Sequence, residues 1–363
     1  MLSRRQAIAG IAAITSGCLS DRRQAWLLCA ATTSDGQHTA TMVSKSADIR
    51  FSQGLAERAH DVLVAPDRRS AVVFARRPGR SIYQLDLSNG RIVNSTQTTN
   101  DRHLYGHGLF TRDGKHVLTS ENNIASGAGV IVVRDAQSLA VEHEFQSFGI
   151  GPHEIRWADD GRTVIVANGG IATHPDYGRE PLNLDTMAPN IARIDAASGK
   201  LLAIAMPSHS KNSIRHFDVL ADGSALIGMQ QQDGYSGAQP VVAASRPAQP
   251  TLQALRIDSG NLLALNRYTA SVSANPRSGH AVVTSPRGNR VSFWKTSKQA
   301  YAGSIRLPDV AGACFDQYAS EFVVSSGRGV LYRFDASTFA LKSELSQRVP
   351  DISFDNHLCI THI

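Results

Sequence analysis

Several residue types and motifs are scarce or missing in this sequence, and each absence excludes a class of protein. Four of the 363 residues are cysteines, and no two of them are spaced as Cys-x-x-Cys. Zinc knuckles, thioredoxin-like redox motifs and c-type haem attachment are therefore unsupported. The sequence also lacks a Gly-x-Ser-x-Gly elbow, a phosphate-binding loop and a His-Glu-x-x-His helix. Nucleophilic hydrolysis consequently has little support.

Long apolar runs and basic clusters are scarce as well. The apolar stretch at residues 9–15 is too short to span a bilayer. The formal charge is +6, of which residues 1–23 contribute +3 through four arginines and Asp21. No basic run with interleaved aromatic residues remains after that segment, so nucleic-acid binding is disfavoured.

The N-terminal segment has the pattern of an export signal. Residues 3–8 read Ser-Arg-Arg-Gln-Ala-Ile, a twin-arginine pattern that precedes the short apolar stretch. We therefore expect residues 1–23 to be a leader that directs the folded protein to the bacterial periplasm; the alternative is a disordered basic tail. Residues 15–18 read Thr-Ser-Gly-Cys, so lipidation at Cys18 is the one route to membrane attachment that the sequence offers.

What is present is a repeated pattern of short apolar strands and turns. Six units of about four strands begin near residues 60, 106, 150, 214, 270 and 312, and a half unit follows from 352. Turn sequences such as Asp113-Gly114 and Asp222-Gly223 recur inside the units. The hairpin at residues 26–43 would supply two strands to complete the half unit. The pattern predicts an all-β, seven-bladed β-propeller over residues 24–363, closed by pairing of its N- and C-terminal strands.

Two minor features follow from this fold. Aspartates precede the turns between outer strands, and we expect them to accept backbone hydrogen bonds there; they are Asp86, Asp135, Asp195 and Asp335. Ring closure brings the two chain ends together, so a Cys29–Cys359 disulfide is conceivable in an oxidising compartment. Burial of both as free thiols is the preferred interpretation.

The candidate functional residues lie where the innermost strands begin and the second strands end. Four innermost strands carry a histidine near their start, namely His60, His107, His153 and His216. Their spacings of 47, 46 and 63 residues exclude a local metal motif, so any site must be assembled across blades. Glu154 follows one of these histidines as a candidate carboxylate ligand. The other candidate ligand-binding residues near this end of the channel are Arg76, Glu121, Asn122, Asn168, Arg215, Gln230 and Arg287.

A long polar loop follows the third hairpin and contains His174 and Asp176. Such a loop on a rigid hairpin is a candidate cover for the channel mouth, although a His-Pro-Asp turn also serves to shape a loop. Two interpretations of the four histidines are open. They line a channel mouth that holds a metal or an anionic ligand, or each ring simply packs against the neighbouring blade.

The chain resembles the DUF1513 family of exported bacterial proteins. The resemblance rests on stretches that span most of the chain, at residues 105–108 (Tyr-Gly-His-Gly), 151–154 (Gly-Pro-His-Glu), 166–171 with 173–176, 182–189, 213–216 (Ser-Ile-Arg-His) and 284–288. It implies a seven-bladed propeller of the quinoprotein amine dehydrogenase β-chain type. It also implies a role beside imelysin-like iron-uptake proteins, which are the expected partners.

Three functions are consistent with these observations. The leading hypothesis is a non-catalytic periplasmic protein of iron acquisition that binds an iron, copper or zinc ion, its complex or a partner protein through the four histidines, with Glu154 and Glu121 as carboxylate ligands. The first alternative is a metal-dependent, lactonase-like hydrolase in which Glu121, Asn168 and Glu154 hold the ion and His153 is the base. The second is a protein-interaction scaffold without a small ligand.

Overall fold

The computed structural model describes residues 24–158, 160–178, 180–234 and 237–363. Within these ranges the chain forms seven antiparallel sheets, six with four strands and one with five strand segments. The predicted twin-arginine leader and Cys18 lie outside the described residues. No helix in the described ranges has the length and apolar character needed to cross a membrane.

The first half of the chain contains the N-terminal strands and three complete blades. The N-terminal strands are β1 (Ala25–Thr33), β2 (His38–Ser44) and β3 (Ile49–Gly54). Blade 1 comprises β4 (Ala59–Val64), β5 (Ser70–Ala75), β6 (Ser81–Asp86) and β7 (Ile92–Gln97). Blade 2 comprises β8 (Arg102–Phe110), β9 (His116–Asn123), β10 (Ala128–Asp135) and β11 (Val141–Ile150). Blade 3 comprises β12 (Pro152–Trp157), β13 (Thr163–Asn168), β14 (Asn190–Asp195) and β15 (Leu201–Ala205).

The second half contains three further blades and the C-terminal strand segments. Blade 4 comprises β16 (Asn212–Val219), β17 (Ala225–Gln231), β18 (Val242–Ser245) and β19 (Gln253–Ala254), and the short helix α1 (Ser259–Ala264) follows it. Blade 5 comprises β20 (Val272–Ala274), β21 (His280–Ser285), β22 (Arg290–Lys295) and β23 (Ala300–Arg306). Blade 6 comprises β24 (Val310–Asp316), β25 (Glu321–Ser326), β26 (Val330–Asp335) and β27 (Gln347–Arg348). The last segments are β28 (Ile352–Phe354) and β29 (Cys359–His362).

The predicted propeller and its closure by the two chain ends are confirmed. Both β28 and β29 pair antiparallel with β1, with Ala31 opposite Phe354 and Leu28 opposite Cys359. The closing blade was expected to take two strands from each end of the chain, and the structure divides it differently. The N-terminus supplies three strands, and the C-terminus supplies one innermost strand broken into two segments by residues 355–358. The third strand, β3, was missed because its alternating, largely exposed residues carry no apolar run.

Sequence pattern separates the middle strands of a blade from the outermost ones. A middle strand such as β13 is buried along its whole length, since neighbouring blades cover both faces of its sheet. It reads accordingly as a continuous apolar run. An outermost strand such as β7 has no buried residue, and its residues from Val93 onward alternate between exposed and half-buried. The pattern of apolar residues in a strand therefore indicates whether neighbouring blades bury one or both of its faces.

Apolar side chains from adjacent blades form the core between the sheets. Phe74 and Ile82 of blade 1 pack with Leu104 and Val117 of blade 2. Residue 108 has to be glycine at this contact, because a Cβ there would lie 2.2 Å from the ring of Phe74. The close approach of the innermost strands brings their side chains together at the centre of the ring.

The turns and cysteines behave as the sequence indicates. The four outer-turn aspartates accept hydrogen bonds from backbone N–H groups two or three residues later. Cys29 and Cys359 are free. Since Cys359 lies directly opposite Leu28 in the ladder, and successive side chains of a strand point to opposite faces, Cys29 points away from it.

A candidate metal centre in the central channel

The four sequence-predicted histidines lie on the innermost strands of four consecutive blades, at irregularities in strand pairing. The register shifts with the second strand fall between Ala59 and Asp61 in blade 1 and between Leu104 and Gly108 in blade 2. Equivalent shifts occur at residues 152–155 in blade 3 and 214–216 in blade 4. A bulge bends its strand and re-aims a side chain. Here the bulges turn the imidazoles toward the channel axis.

The structure brings these imidazoles into one cluster. The rings of His60, His107 and His216 lie 4.9 to 6.1 Å apart, measured between centroids. His153 contacts all three, at 4.7 Å from two of them and 5.6 Å from His60. One nitrogen from each of the four residues lies within 4.8 Å of the others.

A fifth histidine, His357, completes the cluster and was missed by sequence analysis. Its ring lies 4.7 Å from each of the rings of His60, His107 and His216. It belongs to residues 355–358, the segment that interrupts the innermost strand of the closing blade. The signal that could have revealed it was this polar interruption, Asp355-Asn356-His357, inside an otherwise apolar strand.

Carboxylates hold three of the imidazoles by their Nδ1 atoms. Asp355 Oδ1 lies 3.1 Å from His60 Nδ1, and Asp61 Oδ2 lies 3.1 Å from His107 Nδ1. When an imidazole donates its Nδ1–H to a carboxylate, its Nε2 keeps a lone pair for a metal. The arrangement orients Nε2 of these residues and raises its basicity.

Glu154, predicted to be a metal ligand, holds the third imidazole. Its Oε2 lies 3.3 Å from Nδ1 of His216 and accepts a hydrogen bond from the N–H of Phe217 at 3.0 Å, while Oε1 pairs with Arg156 at 2.6 Å. Burial alone would raise the pKa of Glu154. The charge of Arg156 and the hydrogen bond to His216 nevertheless hold this pKa well below its ordinary value. The structure therefore places Glu154 behind the imidazoles as an ionised positioning group.

Several buried imidazole nitrogens lack a hydrogen-bond partner within the protein. In the cluster they are Nε2 of His107, Nε2 of His357 and Nδ1 of His153, and outside it Nε2 of His103. Leaving a buried polar atom unpaired costs about 1–3 kcal/mol, so such atoms are rare in folded proteins. The unpaired atoms in the cluster fit a metal ion bound at its centre.

Four of the five clustered imidazoles, those of His60, His153, His216 and His357, are neutral near pH 7. Burial lowers the pKa of His216 to about 4 although Glu154 opposes the shift, and burial lowers the pKa of His357 to about 3. Burial and the charge of Arg76 place the pKa of His60 well below its ordinary value, and burial and His107 do so for His153. Metal ligands must be deprotonated. The cluster thus offers lone pairs without having to release protons at neutral pH.

A polar cavity of about 210 Å³ lies over the rings of His60, His153 and His216. Four arginines form much of its wall, namely Arg76, Arg77, Arg215 and Arg287. The remaining lining residues are Tyr105, Gln230, Tyr268 and Asn356. The structure therefore brings four of the predicted ligand-binding residues, Arg76, Arg215, Gln230 and Arg287, to the same mouth as the histidines.

Three predicted site residues lie elsewhere in the described structure. Glu121 is buried in an ion pair of 2.8 Å with Arg134 and accepts a hydrogen bond from Thr119. The side-chain amide of Asn168 donates to the carbonyl of Ser147 and to Asn190 Oδ1. Asn122 is buried at the end of β9. These side chains leave the second strand of a blade, behind the innermost one, and so they face neighbouring strands instead of the cavity.

The loop residues His174 and Asp176 also lie outside the cavity lining. Nδ1 of His174 accepts a hydrogen bond from the N–H of Asp176 at 3.3 Å, which caps the turn at Pro175–Tyr177. The Asp176 side chain is 80% exposed. In the structure both residues shape the loop.

A profile described as "Protein of unknown function (DUF1513)" matches residues 53–361. The chain belongs to the DUF1513 family. The matched range includes all five clustered histidines and the carboxylates that position them. No curated protein matches the sequence.

Solved structures resemble this DUF1513 protein in fold. One is the crystal structure of a functionally unknown protein from Desulfotomaculum acetoxidans DSM 771, with a TM-score of 0.63 and 11% identity, covering 93% of this chain and 99% of that chain. Another is Kuenenia stuttgartiensis hydrazine synthase, with a TM-score of 0.58 and 13% identity, covering 87% and 94% of the respective chains. At these identities the likeness concerns the fold alone.

Proposed function

We propose that this protein binds one divalent first-row transition-metal ion through the imidazole cluster. The Nε2 atoms of His60, His107 and His216 are the core ligands, and His153 and His357 complete the donor set. Imidazole donors suit iron, copper, nickel and zinc, whereas calcium and magnesium require oxygen ligands. The ion would supply Lewis acidity, or redox capacity in the case of iron or copper.

The observation that carries this proposal is that one nitrogen from each of His60, His107, His153 and His216 lies within 4.8 Å of the others, while Nε2 of His107 and Nδ1 of His153 have no hydrogen-bond partner. Zinc–nitrogen bonds measure about 2.0–2.1 Å. Nitrogens within 4.8 Å of one another are close to, though wider than, the spacing that one ion imposes. Small rotations of the rings would therefore close the site around it.

The biological role proposed for this site is metal handling in the periplasm, in iron acquisition with imelysin-like partners. The family resemblance and the twin-arginine pattern at residues 3–8 support this role. Cell fractionation would test the location, and a pull-down of the tagged protein from iron-starved cells would test the partner.

Calorimetric titration with Fe(II), Cu(II) and Zn(II) tests the metal site. We expect wild type to bind at least one ion with one-to-one stoichiometry. The double variant His107→Ala, His153→Ala should lose most of this affinity, because it removes two of the clustered donors. The matched control is His116→Ala, His143→Ala, on the outer part of blade 2, which should bind like wild type. Equal and negligible binding by wild type and the cluster variant would refute the proposal.

The hydrolase alternative is less well supported by the geometry. Of its expected ligands, Glu121 is ion-paired with Arg134, and Asn168 donates its amide N–H groups to Ser147 and Asn190 while its Oδ1 has no partner. Among the described residues, the carboxylates nearest the imidazoles position them by Nδ1. The metal-binding function is therefore the one the geometry favours.

A further inference from the structure

The cavity above the imidazole cluster carries more positive charge than its neighbouring carboxylates neutralise. Arg76 pairs with Asp355 at 2.6 Å, but Asp355 also pairs with Arg58. No carboxylate partner occurs within the described ranges for the other three lining arginines, Arg77, Arg215 and Arg287.

Two of these arginines have buried N–H groups without an acceptor. They are at Nη1 of Arg77 and Nε of Arg215, and Arg215 is only 8% exposed. The guanidinium of Arg77 lies 5.5 Å from the ring centroid of Tyr105, and that of Arg287 lies 4.4 Å from Tyr268. Stacking on an aromatic face holds a guanidinium plane without using its N–H donors. The cavity thus presents positioned donors and unbalanced charge.

We propose that this cavity binds a small oxyanion carrying two or more negative charges, which completes the coordination of the metal ion below it. Arginine is suited to such a ligand because its donors match carboxylate and phosphate oxygens in pairs. The claim that the anion coordinates the metal ion rests on the proposed metal site. The anion site itself rests only on the arginines.

The size of the cavity limits the ligand. A volume of about 210 Å³ corresponds to roughly seven water molecules at ~30 Å³ each. This accommodates oxalate, a small di- or tricarboxylate, or inorganic phosphate. Because His60, His153 and His216 line the same cavity as the four arginines, an anion held by the arginines lies beside the imidazoles.

The first experiment measures anion binding to metal-free protein. Oxalate, citrate and phosphate are titrated calorimetrically at constant ionic strength, with chloride as the reference. The variant Arg77→Gln, Arg287→Gln removes two arginines that no hydrogen bond joins to the clustered imidazoles. The control Arg162→Gln, Arg277→Gln makes the same charge change on the exterior. We expect the cavity variant to weaken binding by about tenfold or more and the control to change it by less than about twofold.

The choice among the anions identifies the source of the ligand. Tighter binding of oxalate or citrate indicates a carboxylate metabolite, and tighter binding of phosphate indicates a phosphate ligand. Absence of binding by all three at millimolar concentration, or equal binding by wild type and the cavity variant, overturns the proposal. If the cavity variant does not fold, Arg77→Lys, Arg287→Lys keeps the charge without the paired donors and should bind with intermediate affinity.

The second experiment uses Cu(II) as a spectroscopic probe of the metal. Oxalate should change the electron paramagnetic resonance spectrum of Cu(II)-loaded wild type but leave that of Cu(II)-loaded Arg77→Gln, Arg287→Gln unchanged. Oxalate binding without any copper binding would refute the metal site while supporting the anion site. Copper binding without oxalate binding would do the reverse. The two proposals therefore fail separately.

Discussion

Individual residues around the imidazoles divide into donors and positioning groups. Asp61, Glu154 and Asp355 each contact Nδ1 of one imidazole and leave the opposite nitrogen facing the cluster. Such contacts fix the tautomer and ring orientation of a metal ligand. The function of these carboxylates therefore depends on accepting one hydrogen bond in a defined place.

Asp61→Asn tests this positioning role. The amide can present its N–H₂ group to His107, which disfavours the tautomer that binds metal through Nε2. We expect metal affinity to fall by about 10–100-fold with the fold intact, measured by calorimetry and circular dichroism. The matched control is Asp218→Asn, since Asp218 makes the same local hydrogen bond to the next N–H but bonds to Ala274 instead of an imidazole. Equal losses in the two variants would contradict the role.

Metal-free protein should lose stability in acid because of the neutral imidazoles. An unfolded histidine takes up a proton near pH 6.5, whereas the folded pKa values of His216 and His357 are lowered to about 4 and about 3. Between these limits the unfolded state binds more protons, so the free energy of unfolding falls as the pH drops from about 6.5 toward 4.

Urea denaturation at several pH values checks this prediction. His357→Gln should have a shallower pH dependence than wild type by about one proton in this window. The exposed control His143→Gln should keep the wild-type slope. Superimposable slopes for wild type and His357→Gln would count against a buried, neutral imidazole.

At the scale of elements, the bulged innermost strands determine where the imidazoles point. Residues 105–108 show how a short motif does this. Gly106 has a φ of +95°, and a Cβ added to it would lie 2.7 Å from Cβ of His60. A side chain at this position would strain the bulge and push against the neighbouring ligand. The Tyr-Gly-His-Gly stretch is thus a bulge that aims His107 and leaves room for His60.

Gly106→Ala should damage both folding and metal binding. Strained backbone of this kind costs about 1–3 kcal/mol for a non-glycine residue, and the contact with His60 adds to it. Gly127→Ala is a matched control, because Gly127 has a φ of +69° but open space around its Cβ position. We expect a larger loss of stability in Gly106→Ala, and a loss of metal affinity in that variant alone. Identical behaviour of the two would mean that the bulge does not position the site.

At the scale of the whole molecule, the C-terminal segment that closes the ring also supplies residues of the histidine cluster. The C-terminal segment pairs with β1 through β28 and β29, and the interruption between them carries Asp355 and His357. Pairing of β28 and β29 with β1 covers the edge that β1 would otherwise expose. The last strand therefore contributes to stability and to the cluster together.

Truncation after Asp351 should abolish cooperative unfolding and metal binding together. It removes the innermost strand of the closing blade and exposes the edge of β1. His357→Gln keeps the strand and should reduce metal affinity while retaining a cooperative thermal transition. Calorimetry would follow both variants. A truncated chain that melts like wild type would show that the last strand is dispensable for closure.

The sequence by itself determined the architecture of this DUF1513 protein. Apolar periodicity and turn residues are local properties, so they were sufficient to predict seven blades and a ring closed by its ends. They were also sufficient to place four histidines on innermost strands, although only His60 and His153 lie at strand starts while His107 and His216 lie farther along. The segments without a local apolar signal, β3 and the interrupted last strand, were the ones assigned wrongly or missed.

Only the tertiary structure decided which side chains enter the channel. His357 and Asp355 join the cluster through ring closure, across almost the whole length of the chain, and no local pattern encodes that contact. Glu121 and Asn168 have the right residue types and the right strand ends, yet they leave the second strand, where Glu121 pairs with Arg134 and the Asn168 amide donates to Asn190. Bulges and packing between blades orient the backbone at each position, and the backbone sets the direction of the side chain. Residue type alone does not determine this direction, because the packing involves residues far apart in the sequence.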